Sequence, residues 1–182
     1  MIWVIGSQGM LGREVCEAAA NHGLEHVGSD REVDMLDPRA LSAFADHHNP
    51  SWVVNCAAYT AVDKAEDEPE PAYRLNSEGP RNIATICAER GIPLIHISTD
   101  YVLDGDSAAP LDETSEPAPS GVYGASKLAG EKAIRELHSE HFILRTAWLY
   151  GRYGKNFVYT MLRLMEERDR ISVVTDQVGS PT

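Results

Sequence analysis

Short apolar runs alternate with longer amphipathic stretches from one end of the chain to the other. The runs at 2–5, 24–28, 52–55, 94–98, 142–146 and 171–174 are mostly continuous rather than alternating, as in strands of a parallel sheet covered on both faces. Between them lie helix patterns with recognisable ends. The stretch 12–21 is closed by Gly23, Asp37 and Pro38 open the next helix as cap and first residue, and 71–90 stops at Gly91. Residues 123–137 and 156–168 complete the set. Strand-helix alternation of this kind predicts right-handed βαβ units and a Rossmann-type α/β fold, a doubly wound parallel sheet. A chain of 182 residues suits one such domain over 1–182 better than two.

One stretch breaks the rhythm. Residues 104–121 are rich in Gly, Pro, Ser, Asp and Glu, and a loop of that length is either a solvated excursion or the wall of a site. Its place between two chemically suggestive segments favours the wall.

Composition narrows the function classes. A formal charge of −12 provides no basic tract to displace counterions, which argues against a nucleic-acid partner. An anionic ligand would instead need a local positive feature such as a helix N-terminus. The apolar start reaches Gly6 after five residues, without the basic lead-in of a signal peptide, and no run is long enough for a membrane span. Cys16, Cys56 and Cys87 lie among small or apolar neighbours with no CxxC spacing, so buried free thiols and a reducing, cytoplasmic setting are expected. The seven histidines, His47-His48 included, form no metal-ligating pattern.

Gly6-Ser7-Gln8-Gly9-Met10-Leu11-Gly12 follows the first strand at once and opens the first helix. A mere turn would account for some glycines, but each of these has a task. Gly6 makes the turn, Gly9 lets backbone approach a pyrophosphate, and Gly12 lets helix and strand pack closely. The N–H groups of Met10 and Leu11 then face the phosphates, with Gln8 beside them. Beyond the second strand, Asp30 would hold the ribose hydroxyls of NADH, whereas Arg31 would pair with the extra phosphate of NADPH, so both dinucleotides remain open. Asp34 and Met35 could cradle the adenine; Asp37 is better read as a cap.

Tyr123-Gly124-Ala125-Ser126-Lys127 is a YxxxK motif at a helix start, which places phenol and ammonium on one face, one turn apart. A nearby cation is expected to lower the tyrosine pKa and suit Tyr123 to proton donation. Ser98 and Thr99 end a strand whose carboxyl end faces the ligand crevice, where a hydroxyl could hold a substrate carbonyl.

The glycine turn, the strand-end threonine and YxxxK together resemble the short-chain dehydrogenase/reductases. Longer strings, Val53-Val54-Asn55-Cys56-Ala57-Ala58-Tyr59-Thr60-Ala61-Val62-Asp63-Lys64-Ala65-Glu66 and Ser98-Thr99-Asp100-Tyr101-Val102-Leu103-Asp104-Gly105, are similar to the dTDP-4-dehydrorhamnose reductase family. So are Arg145-Thr146-Ala147-Trp148-Leu149-Tyr150 and Asp176-Gln177-Val178-Gly179-Ser180-Pro181-Thr182. The resemblance implies reduction of a dTDP-linked 4-keto sugar to dTDP-L-rhamnose, a precursor of bacterial surface polysaccharide, with NADPH or NADH. It implies that Thr99 polarises the ketone, Tyr123 donates the proton and Lys127 anchors the ribose. Ala57, Ala58, Tyr59 and Thr60 would line the cofactor cleft, although Ala57 serves equally well for close packing. Trp148 would stack on or wall the sugar, with Asp100 and Tyr101 near it; for Trp148 the plain alternative is a core aromatic. Asn76 would reach the active site from its helix or stand inert as a helix-surface residue, and Asn156 and residues 177–182 are weaker candidates for substrate contacts.

Family members continue beyond the last of these strings into a lobe that covers the nucleotide-sugar. The resemblance therefore implies a chain with most of that lobe missing, and an exposed apolar patch or a homodimer in its place. It also implies a magnesium ion at a subunit contact, with no ligands identifiable here. Two rival functions share these motifs. A nucleotide-sugar epimerase or dehydratase uses the same scaffold, but the dehydratase acid-base pair is lacking because Asp100 is followed by Tyr101. A dinucleotide-binding regulatory subunit, similar to that of methionine adenosyltransferase, would keep YxxxK without turnover.

Overall fold

The computed structural model describes residues 1–106 and 109–182. In it five of the apolar runs become strands: β1 (Ile2–Ile5), β2 (His26–Ser29), β3 (Trp52–Asn55), β4 (Leu94–Thr99) and β5 (His141–Thr146). Every pairing is parallel and the order is β2-β1-β3-β4-β5. Strand order reverses at β1, where an open α/β sheet leaves a crevice beyond its carboxyl ends.

The helices are α1 (Met10–Asn21), α2 (Pro38–His48), α3 (Val62–Asp67), α4 (Pro69–Tyr73), α5 (Gly79–Arg90), α6 (Val122–Leu137) and α7 (Phe157–Glu167). Asp37 caps α2 as expected, accepting the Arg39 N–H at 2.9 Å with Pro38 at the first helical position. Gly91 closes α5 in the left-handed conformation, φ 62°, which a residue without Cβ adopts freely.

Register divides the sheet into two faces. Trp3, Val53, Leu94 and Ile143 share one face with Ile5, Asn55 and His96, and the core with α2, α5 and α6 forms there. On the other face α1 packs on β1 and β2, and Val4 and Val54 are buried. Further along that face cover runs out: Phe142 and Leu144 on β5 are 58% and 49% exposed. Phe142 and Leu144 leave an exposed apolar patch on this face.

Two expectations fail. Residues 71–90 are not one helix, because a π turn at Arg74–Glu78 separates α4 from α5. Pro80 has no N–H to give the Asn76 carbonyl, and that carbonyl faces Gly130, where a Cβ would lie 2.1 Å away. The Asn76 side chain turns inward. The second failure is the run 171–174, which forms no strand and leaves Val173 and Val174 51% and 64% exposed. Four apolar residues lack the periodicity to specify a strand, and no ladder partner meets them. Of the loop 104–121, residues 107 and 108 lie outside the described residues.

Candidate active site

A cavity of about 1110 Å³ opens at the carboxyl ends of β1, β3 and β4. The glycine turn forms one wall: Gly6, Gln8, Gly9, Met10 and Leu11 line it. Gly9 precedes α1 without a capping side chain, and no acidic residue stands in the first helical turn. The helix therefore presents its N-terminus to the cavity, which suits a diphosphate. Gly12 lies behind this wall, where a Cβ would come within 2.1 Å of the Gly6 carbonyl oxygen; it serves packing alone. Asp30, Arg31, Asp34 and Met35 continue the wall. Asp30 accepts the Gln8 N–H at 3.0 Å, tying the turn to the end of β2, while Arg31 is exposed. Asp34 accepts the Leu36 N–H, and Met35 is a core residue.

The opposite wall carries Thr99 at the end of β4, Tyr123 and Lys127 on α6, with Ala57, Ala58 and Thr60 between the two walls. The Thr99 hydroxyl donates to Asp100 at 3.0 Å and accepts the Tyr101 N–H at 3.3 Å, and Thr99, Tyr123 and Lys127 border the same cavity. Burial pushes the Tyr123 phenol above the usual tyrosine value, opposed by the nearby Thr99 hydroxyl and helped by Asp100 and Tyr101. The expected lowering by Lys127 does not occur. Its ammonium is turned to β4, donating to the Ile97 carbonyl at 2.7 Å and standing 3.4 Å from His96 Nε2. Burial brings Lys127 down to about 8, against the pull of Glu131 and Cys56.

Asp100, Tyr101 and Trp148 also face the cavity. The Tyr101 ring meets that of Tyr123 edge-on at 5.5 Å between centroids. Trp148 is not a core aromatic: it is 48% exposed and holds a left-handed backbone, φ 49°, which a bulky residue adopts only where its surroundings enforce it. The tail supplies that enforcement. Thr182 hydrogen-bonds Ala147 through Oγ1, accepting its N–H and donating to its carbonyl, and Gly179 lies against the indole.

Three sequence candidates sit elsewhere. Tyr59 points out of the cavity and donates its hydroxyl to Glu68 at 3.0 Å. Asn156 caps α7, accepting the Tyr159 N–H and donating to the Gly151 carbonyl. Asn76 is no helix-surface residue; it is fully buried. It accepts the Tyr59 N–H at 2.8 Å and donates to the Tyr59 carbonyl and to Ser126 Oγ, each at 3.0 Å. It clamps the turn after β3 to α6.

Other contributors carried little sequence signal. Lys155, Leu149 and Thr146 line the cavity, and a lone lysine in a glycine-containing turn marks nothing by itself. Behind Lys127 runs a buried polar layer. His96 takes a bond from Asn55 at 3.0 Å. Glu131 accepts Ser98 Oγ at 2.6 Å, Arg145 twice, and Arg135 at 3.0 Å. Burial alone would raise the Glu131 carboxyl, but Arg145 and Ser98 hold it below the usual range. All three thiols are free, though only Cys87 is fully buried; Cys56 borders the cavity, pushed up to about 12 by burial. Among the described residues no group of three or more His, Cys, Asp or Glu side chains could hold a metal ion.

A family model described as the RmlD substrate binding domain matches residues 1–182. The dTDP-4-dehydrorhamnose reductase of Streptomyces griseus is 44% identical over 183 residues, which cover 99% of this chain and 60% of that protein. A dTDP-4-keto-6-deoxy-D-glucose reductase of Streptomyces niveus is 41% identical, with 99% and 64% covered. The structure of dTDP-4-dehydrorhamnose reductase from Bacillus anthracis str. Ames in complex with NADP superposes with a TM-score of 0.96 at 44% identity, over 100% of this chain and 65% of that one. The chain thus spans 60% to 65% of the length of these relatives.

Proposed function

We infer that this chain, which belongs to the RmlD substrate binding domain family, is the dinucleotide-binding and proton-donating part of a reductase that converts dTDP-4-dehydro-L-rhamnose to dTDP-L-rhamnose. One observation carries the reading: Thr99, Tyr123 and Lys127 border the same cavity as an uncapped, glycine-led helix N-terminus. The relatives named for this activity, one of them with NADP bound, support it.

NADPH or NADH fits the residues present. Gly6 leaves no room for a side chain, since a Cβ would lie 2.8 Å from the Ala57 nitrogen, and the turn from Gly6 to Leu11 lines the cavity where a diphosphate would lie. The first turn of α1 would hold the phosphates, Asp30 and Arg31 the adenosine end, and Lys127 the nicotinamide ribose. When bound, the dinucleotide supplies the hydride. The remaining work falls to this chain. Thr99 orients the ketone through its hydroxyl. Tyr123, kept protonated by its buried setting, holds a proton on Oη for the oxygen of the new alcohol. Asp100, Tyr101 and Trp148 would wall the sugar.

The resemblance to the Streptomyces niveus enzyme makes a dTDP-4-keto-6-deoxy-D-glucose the second substrate to try. Tyr101 packs against Tyr123 where a dehydratase would need a second carboxylate, which speaks against elimination. Magnesium has no donor cluster among the described residues, and no step uses it. The exposed face of β5 supports a homodimer, and three free thiols suit a reducing, cytoplasmic compartment.

The test is coupled turnover of NADPH or NADH with either sugar nucleotide, for the chain and for Tyr123→Phe. The substitution should lower turnover by about 10²- to 10⁴-fold and leave dinucleotide affinity nearly unchanged. Equal turnover by both proteins would overturn the assignment. Dinucleotide binding without turnover, joined to capture of a methionine adenosyltransferase, would make the chain an adaptor.

A further inference from the structure

His96 lies wholly buried on the closed face of β4, beside the equally enclosed Lys127. Its neighbours fix where its proton sits. The Ala57 N–H donates to Asn55 Oδ1 at 3.0 Å, so the Asn55 amide must turn Nδ2 to the imidazole, where it meets Nδ1 at 3.0 Å. An amide nitrogen only donates. Nδ1 is therefore the acceptor, and the proton of the neutral ring is on Nε2.

Nε2 faces Lys127 Nζ at 3.4 Å, while Nζ donates to the Ile97 carbonyl at 2.7 Å. An ammonium has three donors and no acceptor, so in that form N–H is set against N–H. A neutral amine offers its lone pair to Nε2–H and keeps the bond to Ile97. Moving the ring proton to Nδ1 would relieve the lysine only by turning the Asn55 amide over, which strands the buried end of the Ala57 bond.

We propose that His96, held in one tautomer by Asn55, is a positioning residue that favours the neutral amine of Lys127, so that this lysine passes between ammonium and amine inside the closed site instead of remaining a fixed cation.

The groups facing Lys127 come from three elements. His96 and the Ile97 carbonyl approach from β4, Cys56 from the turn after β3, and Glu131 from α6. Glu131, shared with Arg135, Arg145 and Ser98, stays ionised and favours the ammonium. Cys56 stays a thiol, and burial and Lys127 hold His96 well below the usual imidazole value. Near pH 8, Lys127 is the member of this group that changes charge. What the exchange does in turnover rests on the reductase reading, but its physical basis does not.

Nitrogen NMR of the 182-residue chain labelled in histidine reads the tautomer. His96 should show a protonated Nε2 and a bare Nδ1 at every pH where the chain is folded; a protonated Nδ1 overturns the proposal. The Lys127 Cε resonance should titrate at about 8. In His96→Gln the amide oxygen can accept from the ammonium, and the midpoint should rise by about one unit; an unmoved or lower midpoint overturns the proposal. Should that variant not fold, the tautomer of the unaltered chain decides alone. Neither measurement involves turnover. A chain that reduces no sugar leaves this result standing, and a working reductase with the other tautomer loses only this inference.

Discussion

Along β4 and β5, the face toward α6 carries His96, Ser98 and Arg145, while the opposite face carries Ile95, Ile97, Phe142 and Leu144. The first set is enclosed or nearly so; on the second, Phe142 and Leu144 stand half in water. A sheet stabilised by burial alone would show the reverse. Polar groups taken from water destabilise a fold unless each finds a partner, and among the described residues no buried side-chain nitrogen or oxygen lacks one. The inner layer is a closed set of mutual obligations that fixes Thr99 and Lys127. The outer face is a surface awaiting contact.

If that contrast is right, equal insults to the two faces should have unequal effects. Glu131→Ala would strip Arg145, Arg135 and Ser98 of their shared acceptor, and urea unfolding should show a loss of about 4 kcal/mol, as when one partner of a buried ion pair is removed. Because the folded carboxyl lies below its ordinary value, the stability it contributes is complete above the usual carboxylate range and fades as pH falls through the lowered value. Asn76→Ala comes next, with about 3 kcal/mol from orphaning the Tyr59 N–H and carbonyl. Dinucleotide affinity should weaken with it, as read by fluorescence titration.

Lys127→Met should act in the other direction. Its folded value of about 8 lies below the ordinary 10.5, so folding is opposed by the ammonium below pH 8 and this opposition fades as pH rises towards 10.5. At pH 7 the variant should gain about 2 kcal/mol while losing dinucleotide binding, and the rise of stability with pH over that window should vanish. The smallest effect belongs to Phe142→Ser, within about 0.5 kcal/mol. A much larger loss there, dependent on protein concentration, would mean that the outer face is covered in solution by a second copy.

What the sequence disclosed was local. The glycine turn and YxxxK each lie within one short string, and the parallel strands announced themselves as continuous apolar runs. The polar layer is built from pairs far apart in the chain: Asn55 meets His96 across 41 positions, and His96 meets Lys127 across 31. Periodicity cannot see such pairs. Their only trace is a polar residue interrupting an apolar run, as His96 does between Ile95 and Ile97. Asn76 was misplaced because helical spacing put it on the surface, whereas Pro80 withholds the bond that would have kept the turn regular. Tyr59 and Asn156 belong to the right segments but serve the scaffold with their side chains. The run 171–174 had strand composition without a neighbouring strand to pair with.

The closeness of Gly6 to Ala57 has a mechanical consequence. Two ligand-facing turns this close, with a prospective Cβ only 2.8 Å from the Ala57 nitrogen, should shift together. Ala57 is hydrogen-bonded through Asn55 to the imidazole behind it, so a shift of these turns on diphosphate binding should be felt at the lysine. Deuterium should enter the amides of residues 6 and 57 at matching rates, and both should slow together when a dinucleotide binds.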